Sequence, residues 1–176
     1  KYEDLAKLCY LGQSLSNVLL LLGEFSFDGK EDFFRKLKEE VDKADFKEFL
    51  DKKISFRATC KKIGNLEIGS DEINKKTGEF VIDAVKKKLK YAQKVDLDNP
   101  DVSFFIYAAE KKAYLGVDFA GFELDKRQHK VFQHPASLKA TIGYSMLRAA
   151  GIKDGSVVLD PFCGAGTIPI EAALFM

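Results

Sequence analysis

Only three cysteines, Cys9, Cys60 and Cys163, occur in these 176 residues, and none stands in a Cys-x-x-Cys pair. An odd, scattered set excludes a disulfide framework and the usual zinc spacings, and it suits a reducing cytosol. Long apolar runs are missing too: stretches such as Val18 to Leu22 fall far short of the roughly 20 residues that cross a bilayer. No charged, apolar and small-residue leader is visible, so neither a membrane span nor a secretory signal is expected. Nucleotide signatures are also lacking, since no glycine loop ends in Gly-Lys-Ser/Thr and none reads G-x-G-x-x-G. The acidic residues offer no recognisable general-acid pair, and there is no internal repeat or low-complexity tract.

What is present is ordinary for a globular protein, 46% hydrophobic and 31% charged, enough for one large domain or two small ones. The first residue is Lys1 rather than Met and the last, Met176, falls inside an expected helix, so a fragment of a longer chain is expected. A net charge of +1 conceals a gradient. Residues 1–50 carry 8 Lys/Arg against 11 Asp/Glu, residues 51–133 carry 17 against 13, and residues 134–176 carry 3 against 3. Only the middle segment leans basic, and a solvated lysine surface explains that lean as well as a nucleic-acid partner does.

Helical spacing of Tyr2, Leu5, Leu8 and Cys9 predicts a helix, and Asn17 to Leu22 then reads as a buried strand running into Gly23. After the turn at Asp28-Gly29, the stripe Phe33, Phe34, Leu37, Val41 predicts a second helix, with a short helix and linker over Lys43 to Asp51. Ile54, Phe56, Ala58 and Cys60 alternate with Ser55, Arg57 and Thr59, the mark of a half-buried strand, which a turn at Lys61-Lys62-Ile63-Gly64-Asn65 ends. Ser70 is placed to cap a long helix with Ile73, Phe80, Val81, Ala84, Val85 and Leu89 inward. Lys86-Lys87-Lys88 crowd its last turns, where the helix dipole favours cations. Lys94 to Leu97 reads as a short strand, and Val102 to Tyr107 with Ala113 to Val117 as a hairpin; alternation sends Phe104 and Phe105 to opposite faces. Gly121 to Gln133 reads as a connector. A further helix is expected from Pro135, with Leu138, Ile142, Met146 and Ala149 forming one face, ending at Gly151.

The most informative stretch is Val157-Val158-Leu159-Asp160-Pro161-Phe162-Cys163-Gly164-Ala165-Gly166-Thr167, an apolar strand ending in an acid, a glycine-hinged loop and a helix start. Two glycines are a weak signal by spacing. Their physical use is plain: they admit a ligand close to the backbone, while the following helix offers N–H groups to a carboxylate and Asp160 can receive an ammonium. A ligand joining amine, carboxylate and nucleoside is S-adenosylmethionine. The string DPFCGAGTIPIEAAL resembles the first motif of class I S-adenosylmethionine-dependent methyltransferases that carry a THUMP domain, particularly the tRNA guanine-N2 methyltransferases. HPASLKATIGYSMLRAAG is similar to that family's lead-in helix, and SFRATCKKIGN with VDLDNPDVSFFIYAAEKKAYLGVDFAG looks like a THUMP domain.

The resemblance implies a mixed α+β and α/β chain. Its parts would be a partial ferredoxin-like domain over residues 1–50, a THUMP domain over 51–120, a linker over 121–134, and the first βα unit of a Rossmann-like methyltransferase domain over 135–176. It implies a cofactor site lined by Asp160, Pro161, Phe162, Cys163, Gly164, Ala165, Gly166 and Thr167 with His134, Pro135 and Ala136, and an RNA module that holds the tRNA acceptor end, with Arg57, Lys61 and Lys62 as phosphate contacts. The family's Asn/Asp-Pro-Pro-aromatic catalytic turn is absent; Asn99-Pro100-Asp101 lacks the second proline and the aromatic. A ribosomal RNA guanine-N2 methyltransferase, and an RNA-binding module without cofactor binding, stay open as alternatives. No histidine or lysine flanks Cys163 to activate it, so it reads as a packing cysteine, whereas His134 reads equally as a helix cap or a cofactor contact. The strand Val157 to Leu159 should have open edges and little hydrogen-exchange protection.

Overall fold

A computed structural model describes residues 2–127 and 137–175. It divides into two compact units, Leu19–Gly121 and Lys1–Val18 with Phe122–Met176.

In the first unit, among the described residues, five strands form one mixed sheet in the order β1-β5-β4-β2-β3. These are β1 (Leu19–Ser26), β2 (Ser55–Ile63), β3 (Lys94–Val95), β4 (Val102–Ala109) and β5 (Lys112–Asp118). β1 and β4 run antiparallel to β5, whereas β2 runs parallel to β4 and β3. The β4–β5 connection is the expected hairpin, turned at Glu110, whose φ of 53° is left-handed. The division expected at residue 50 runs through this sheet, because β1 pairs along β5 and its following helix shares the same core.

Alternation gives the sheet one face that carries helices. Phe56, Phe104, Ile106, Ala108, Ala113 and Leu115 point into a core closed by α2 (Lys30–Lys43), through Phe33, Leu37 and Val41, and by α3 (Ser70–Leu89), through Ile73, Val81, Ala84 and Val85. Phe104 is fully buried and meets Phe46 and Phe56 edge-on, with ring centroids 5.5 and 5.7 Å away. Phe105 is buried outside that cluster, on the other face.

Local chemistry sets the ends of these helices. Asp32 reaches back to accept the Asp28 N–H at 3.0 Å and pairs with Lys36 and Arg35. The hydrogen bond from Lys36, followed by that from the Asp28 backbone, holds its carboxyl down to about 2. Gly69, not the expected Ser70, is the N-cap of α3, and no side chain caps it. No helix forms over Lys43 to Asp51: α2 stops at Ala44, and buried Phe46 and Leu50 pin the following turns to the core. β2 continues through Lys61 and Lys62 to Ile63, where a turn had been expected, because β4 offers register partners as far as Ala109. β3 is two residues long rather than four.

Asp101 ties β4 to β2. Its Oδ2 accepts the Ser55 N–H and Oγ–H, each at 2.7 Å, and these bonds hold its pKa below the ordinary carboxylate value. A folded-state value below the unfolded one, near about 3.9, gives stability that is present above that pH and lost as pH falls through the folded value. Denaturant melts taken from about pH 6 down to about pH 3 should therefore show an acid loss that Asp101→Asn flattens; an identical pH slope in the variant would refute this role.

In the second unit lie α1 (Tyr2–Leu11), α4 (Ala140–Ala149) and α5 (Thr167–Phe175). The expected start of α4 at Pro135 lies outside the described residues; the helix is formed from Ala140, with Lys139 extended at its N-cap. Its buried face is Ala140, Gly143 and Leu147, while the apolar face of Leu138, Ile142, Met146 and Ala149 is exposed. Close packing explains the rotation. A Cβ on Gly143 would stand 3.3 Å from the Thr167 methyl and 3.7 Å from Glu171 Cγ, so α5 lies against the face that has least side chain.

Candidate cofactor loop and RNA-facing surface

The loop from Asp160 to Thr167 is built by two devices. Asp160 Oδ1 accepts the Phe162 N–H at 3.1 Å, closing an Asx turn, and the Gly166 N–H donates to the Cys163 carbonyl at 2.8 Å. Gly164 and Gly166 both have positive φ, 52° and 74°, which residues with a Cβ adopt only with strain. Gly166 leads directly into α5, whose first turn is pinned by Thr167 Oγ1 donating to the Leu138 carbonyl at 3.2 Å. Pro161 to Gly164 are exposed, Ala165 and Gly166 half-buried, and Thr167 buried. The exposed thiol of Cys163 is free.

The expected strand ahead of the loop is not formed. Val157 and Leu159 are 97% and 85% exposed, and no described strand pairs with them, so their apolar pattern finds neither ladder nor core. His134, Pro135 and Ala136 lie outside the described residues. None of the described residues form a group of three or more His, Cys, Asp or Glu able to hold a metal.

One ion pair supports α5 and had no sequence signal. Arg127 grips Glu171 through two parallel bonds of 2.9 Å, from Nε to Oε1 and from Nη2 to Oε2. Its other N–H groups donate to the carbonyls of Leu124 at 2.9 Å and Gln13 at 2.6 Å. Glu171 is 1% exposed. A single guanidinium thus joins the segment after α1, the segment at Leu124 and the helix that carries the glycine loop.

In the sheet unit, Arg57 and Lys61 fall on the face opposite the helices, in register with Ser103 and Tyr107 of β4. Arg57 donates from Nε to Ser103 Oγ at 3.2 Å and from Nη1 to the Leu97 carbonyl at 3.4 Å, while Lys61 is exposed. Tyr107 and Tyr114 stand beside one another on this face, their ring centroids 6.3 Å apart. Lys62 points the other way, and its Nζ donates to the Ile68 carbonyl at 2.6 Å and the Leu66 carbonyl at 3.4 Å. Its charge serves the loop before α3. The tyrosine pair follows from the β4–β5 register, which sets Tyr107 opposite Tyr114, and the extension of β2 to Ile63 brings Lys61 alongside Tyr107.

A mixed sheet backed by two helices, and a separate unit with a glycine-hinged loop feeding a helix, define a two-part α/β protein. Its second part presents a backbone turn of the kind nucleoside cofactors approach. The chain belongs to the THUMP-domain family: the family's profile matches residues 31–118, half of the chain, and that of the RMKL-like methyltransferase domain matches residues 127–176. The THUMP match begins upstream of residue 51, in agreement with α2 sharing the sheet's core.

A tRNA (guanine(6)-N2)-methyltransferase of Methanocaldococcus jannaschii is 34% identical over 96% of this chain and 44% of its own length. A U6 snRNA (guanine-N(2))-methyltransferase of Bos taurus, THUMPD2, is 32% identical over 95% of this chain and 31% of its own. Among solved structures, TrmN from Thermus thermophilus superposes with a TM-score of 0.66 at 28% identity, covering 90% of this chain and 45% of that one. The chain thus spans less than half the length of the curated relatives it matches. No described helix is long and apolar enough to cross a membrane.

Proposed function

We propose that this chain supplies the RNA-holding module and the cofactor loop of an S-adenosylmethionine-dependent methyltransferase acting on N2 of a guanosine in tRNA. The observation that carries the reading is the loop at Asp160 to Thr167, with Gly164 and Gly166 left-handed at the N-terminus of α5. A carboxylate fits there, because the first-turn N–H groups of a helix lack intrahelical acceptors and the helix dipole favours an anion, with only Pro169 donating nothing. Asp160 spends one oxygen on the Asx turn and keeps the other for an ammonium group. Nothing would meet a ligand at Gly164, where a Cβ would have no neighbour nearer than 3.9 Å. Pro161, Phe162, Cys163, Ala165 and Thr167 complete the wall; His134, Pro135 and Ala136, which the resemblance adds to it, lie outside the described residues.

When bound, S-adenosylmethionine supplies an electrophilic methyl group. The chain's own part is positional: the loop orients the methionine end, and the sheet unit holds the tRNA acceptor end through Arg57 and Lys61 so that a guanosine can be presented. The name borne by the archaeal relative at 34% identity supports tRNA over ribosomal RNA. A second reading, RNA binding without cofactor binding by this chain, draws on the exposed Val157 and Leu159, which leave the loop without a sheet behind it.

Titration calorimetry with S-adenosylmethionine, beside tRNA binding across a salt series, tests both. Binding of each ligand supports the first reading, and tRNA binding with no cofactor heat supports the second. Absence of tRNA binding even at low salt, where phosphate contacts are strongest, would sink both. Arg57→Ala and Lys61→Ala should each flatten the dependence of log K on log salt by about one unit.

A further inference from the structure

The end of the sheet unit formed by the C-terminus of α3 and the turns after α2 gathers lysines that the fold does not consume. Residues 83–94 contain five lysines against Asp83 alone, and residues 43–53 four lysines against Asp45, Glu48 and Asp51. The two segments are in contact: Lys88 Nζ donates to the Ala44 carbonyl at 2.7 Å and lies 5.7 Å above the Phe46 ring, while Gln93 Nε2 donates to the carbonyls of Asp51 and Ile54. Lys43 pairs with Glu40. Lys47, Lys52, Lys86, Lys87 and Lys90 are exposed, and none of their ammonium groups makes a hydrogen bond or ion pair among the described residues.

Two of the carboxylates beside them, Asp45 and Asp51, are turned to the backbone. Asp45 Oδ1 accepts the Lys47 N–H at 3.1 Å, and Asp51 Oδ1 accepts the N–H groups of Lys53 and Ile54 at 2.6 and 2.9 Å. The dipole of α3 also favours cations here, but it amounts to only about half an elementary charge, less than the several lysines gathered at this end. Lys90 goes further. It closes α3 in the left-handed region, φ 63° and ψ 31°, a conformation glycine adopts freely and a side chain only at a cost. A charge is thus kept at a position where the backbone alone would prefer glycine.

We propose that Lys86, Lys87 and Lys90, with Lys47 and Lys52 beside them, form a second phosphate-docking site for the RNA backbone, on a different part of the sheet unit from Arg57 and Lys61. Lys86 and Lys90 are one helical turn apart, ~6 Å, so neighbouring ammonium groups can meet successive backbone charges. Residues 43–53 and 83–94 expose no large apolar side chain, and Val95 and Leu97 are the exposed apolar residues just beyond them, so charge is the main thing this surface offers. The site reads no sequence; it sets where the RNA body lies while the other face engages the end. This inference rests on the RNA-binding reading above.

The test compares tRNA binding by the whole chain with that of Lys86→Gln/Lys87→Gln/Lys90→Gly, over a salt series. The variant should bind roughly tenfold more weakly or worse at moderate salt, and its salt slope should fall by about two to three units. A control of equal charge change elsewhere, Lys7→Gln/Lys75→Gln/Lys153→Gln, should keep most of the affinity and slope. Lys90→Gly alone separates site from scaffold: it should weaken binding while leaving the melting temperature unchanged or raised, since glycine relieves the left-handed strain. Equal losses in variant and control would overturn the proposal in favour of a general charge effect. Unchanged affinity in the variant would overturn it while leaving the RNA-binding reading intact, and a wild-type chain that fails to bind tRNA at low salt would remove both.

Discussion

Arg127→Ala will destabilise the unit that carries the glycine loop by about 3–5 kcal/mol, the cost of leaving one member of a buried ion pair without its partner. Glu171 is 1% exposed, and Arg127 is its hydrogen-bond donor on both oxygens among the described residues. Water cannot replace those bonds without opening α5. The same substitution strands the carbonyls of Gln13 and Leu124, which receive the remaining guanidinium N–H groups. Urea unfolding should show a large fall in the midpoint, and amide exchange should rise along α4 and α5. Arg127→Met combined with Glu171→Leu should recover most of the loss, because a packed apolar pair avoids desolvating two charges. A change below about 1 kcal/mol in the single variant, the worth of an exposed pair, would show that this bridge does not hold the unit. For function, the consequence reaches the loop: Gly166 is the residue before α5, so a displaced helix carries Gly164 and Gly166 away with it.

The second large effect is expected in the sheet unit. Phe104→Ala removes a fully buried ring that meets Phe46 and Phe56 edge-on, and should cost about 3–5 kcal/mol, the range for buried Phe-to-Ala changes. Phe46 comes from the turns after α2 and Phe56 from β2, so the cavity lies where the sheet, those turns and the helical layer are joined. Amide exchange should rise across β2, β4 and α3 together. Phe105→Ala is the comparison, since that ring lies outside the core cluster on the opposite face, and its loss should cost less. Equal costs for the two neighbours would mean that the helix-bearing core is not what stabilises this unit. Under the proposed RNA-holding role, binding should fail in Phe104→Ala at temperatures where the wild-type chain still binds, because both basic surfaces are carried on elements packed around this ring.

Much of the fold could be read locally. The stripe Phe33, Leu37, Val41 and the alternation from Ile54 to Cys60 each carry their own period, and the observed α2 and β2 follow them. What failed were edges and faces. β2 outran its expected end because β4 supplies partners to Ile63, and β3 fell short at Val95. At α4, the apolar stripe of Ile142 and Met146, led by Leu138 just before the helix, was the larger one, yet Gly143 marks the buried side. A periodicity argument scores side-chain size, whereas packing against another helix rewards the side with least of it.

Order of side chains along the chain alone decided the two glycines flanking Ala165, the acid that precedes them and the lysine-rich run from 86 to 90, because backbone freedom and formal charge belong to a residue wherever it lies. Only the tertiary structure decided which of those charges are spent. Lys62 is consumed by the Leu66 and Ile68 carbonyls and Lys88 by that of Ala44, whereas Lys61, Lys86, Lys87 and Lys90 face solvent. It also joined Arg127 to Glu171 across 44 positions of sequence. Hydrogen bonds act over about 3 Å in space, and no local pattern reports which distant groups folding will bring that close.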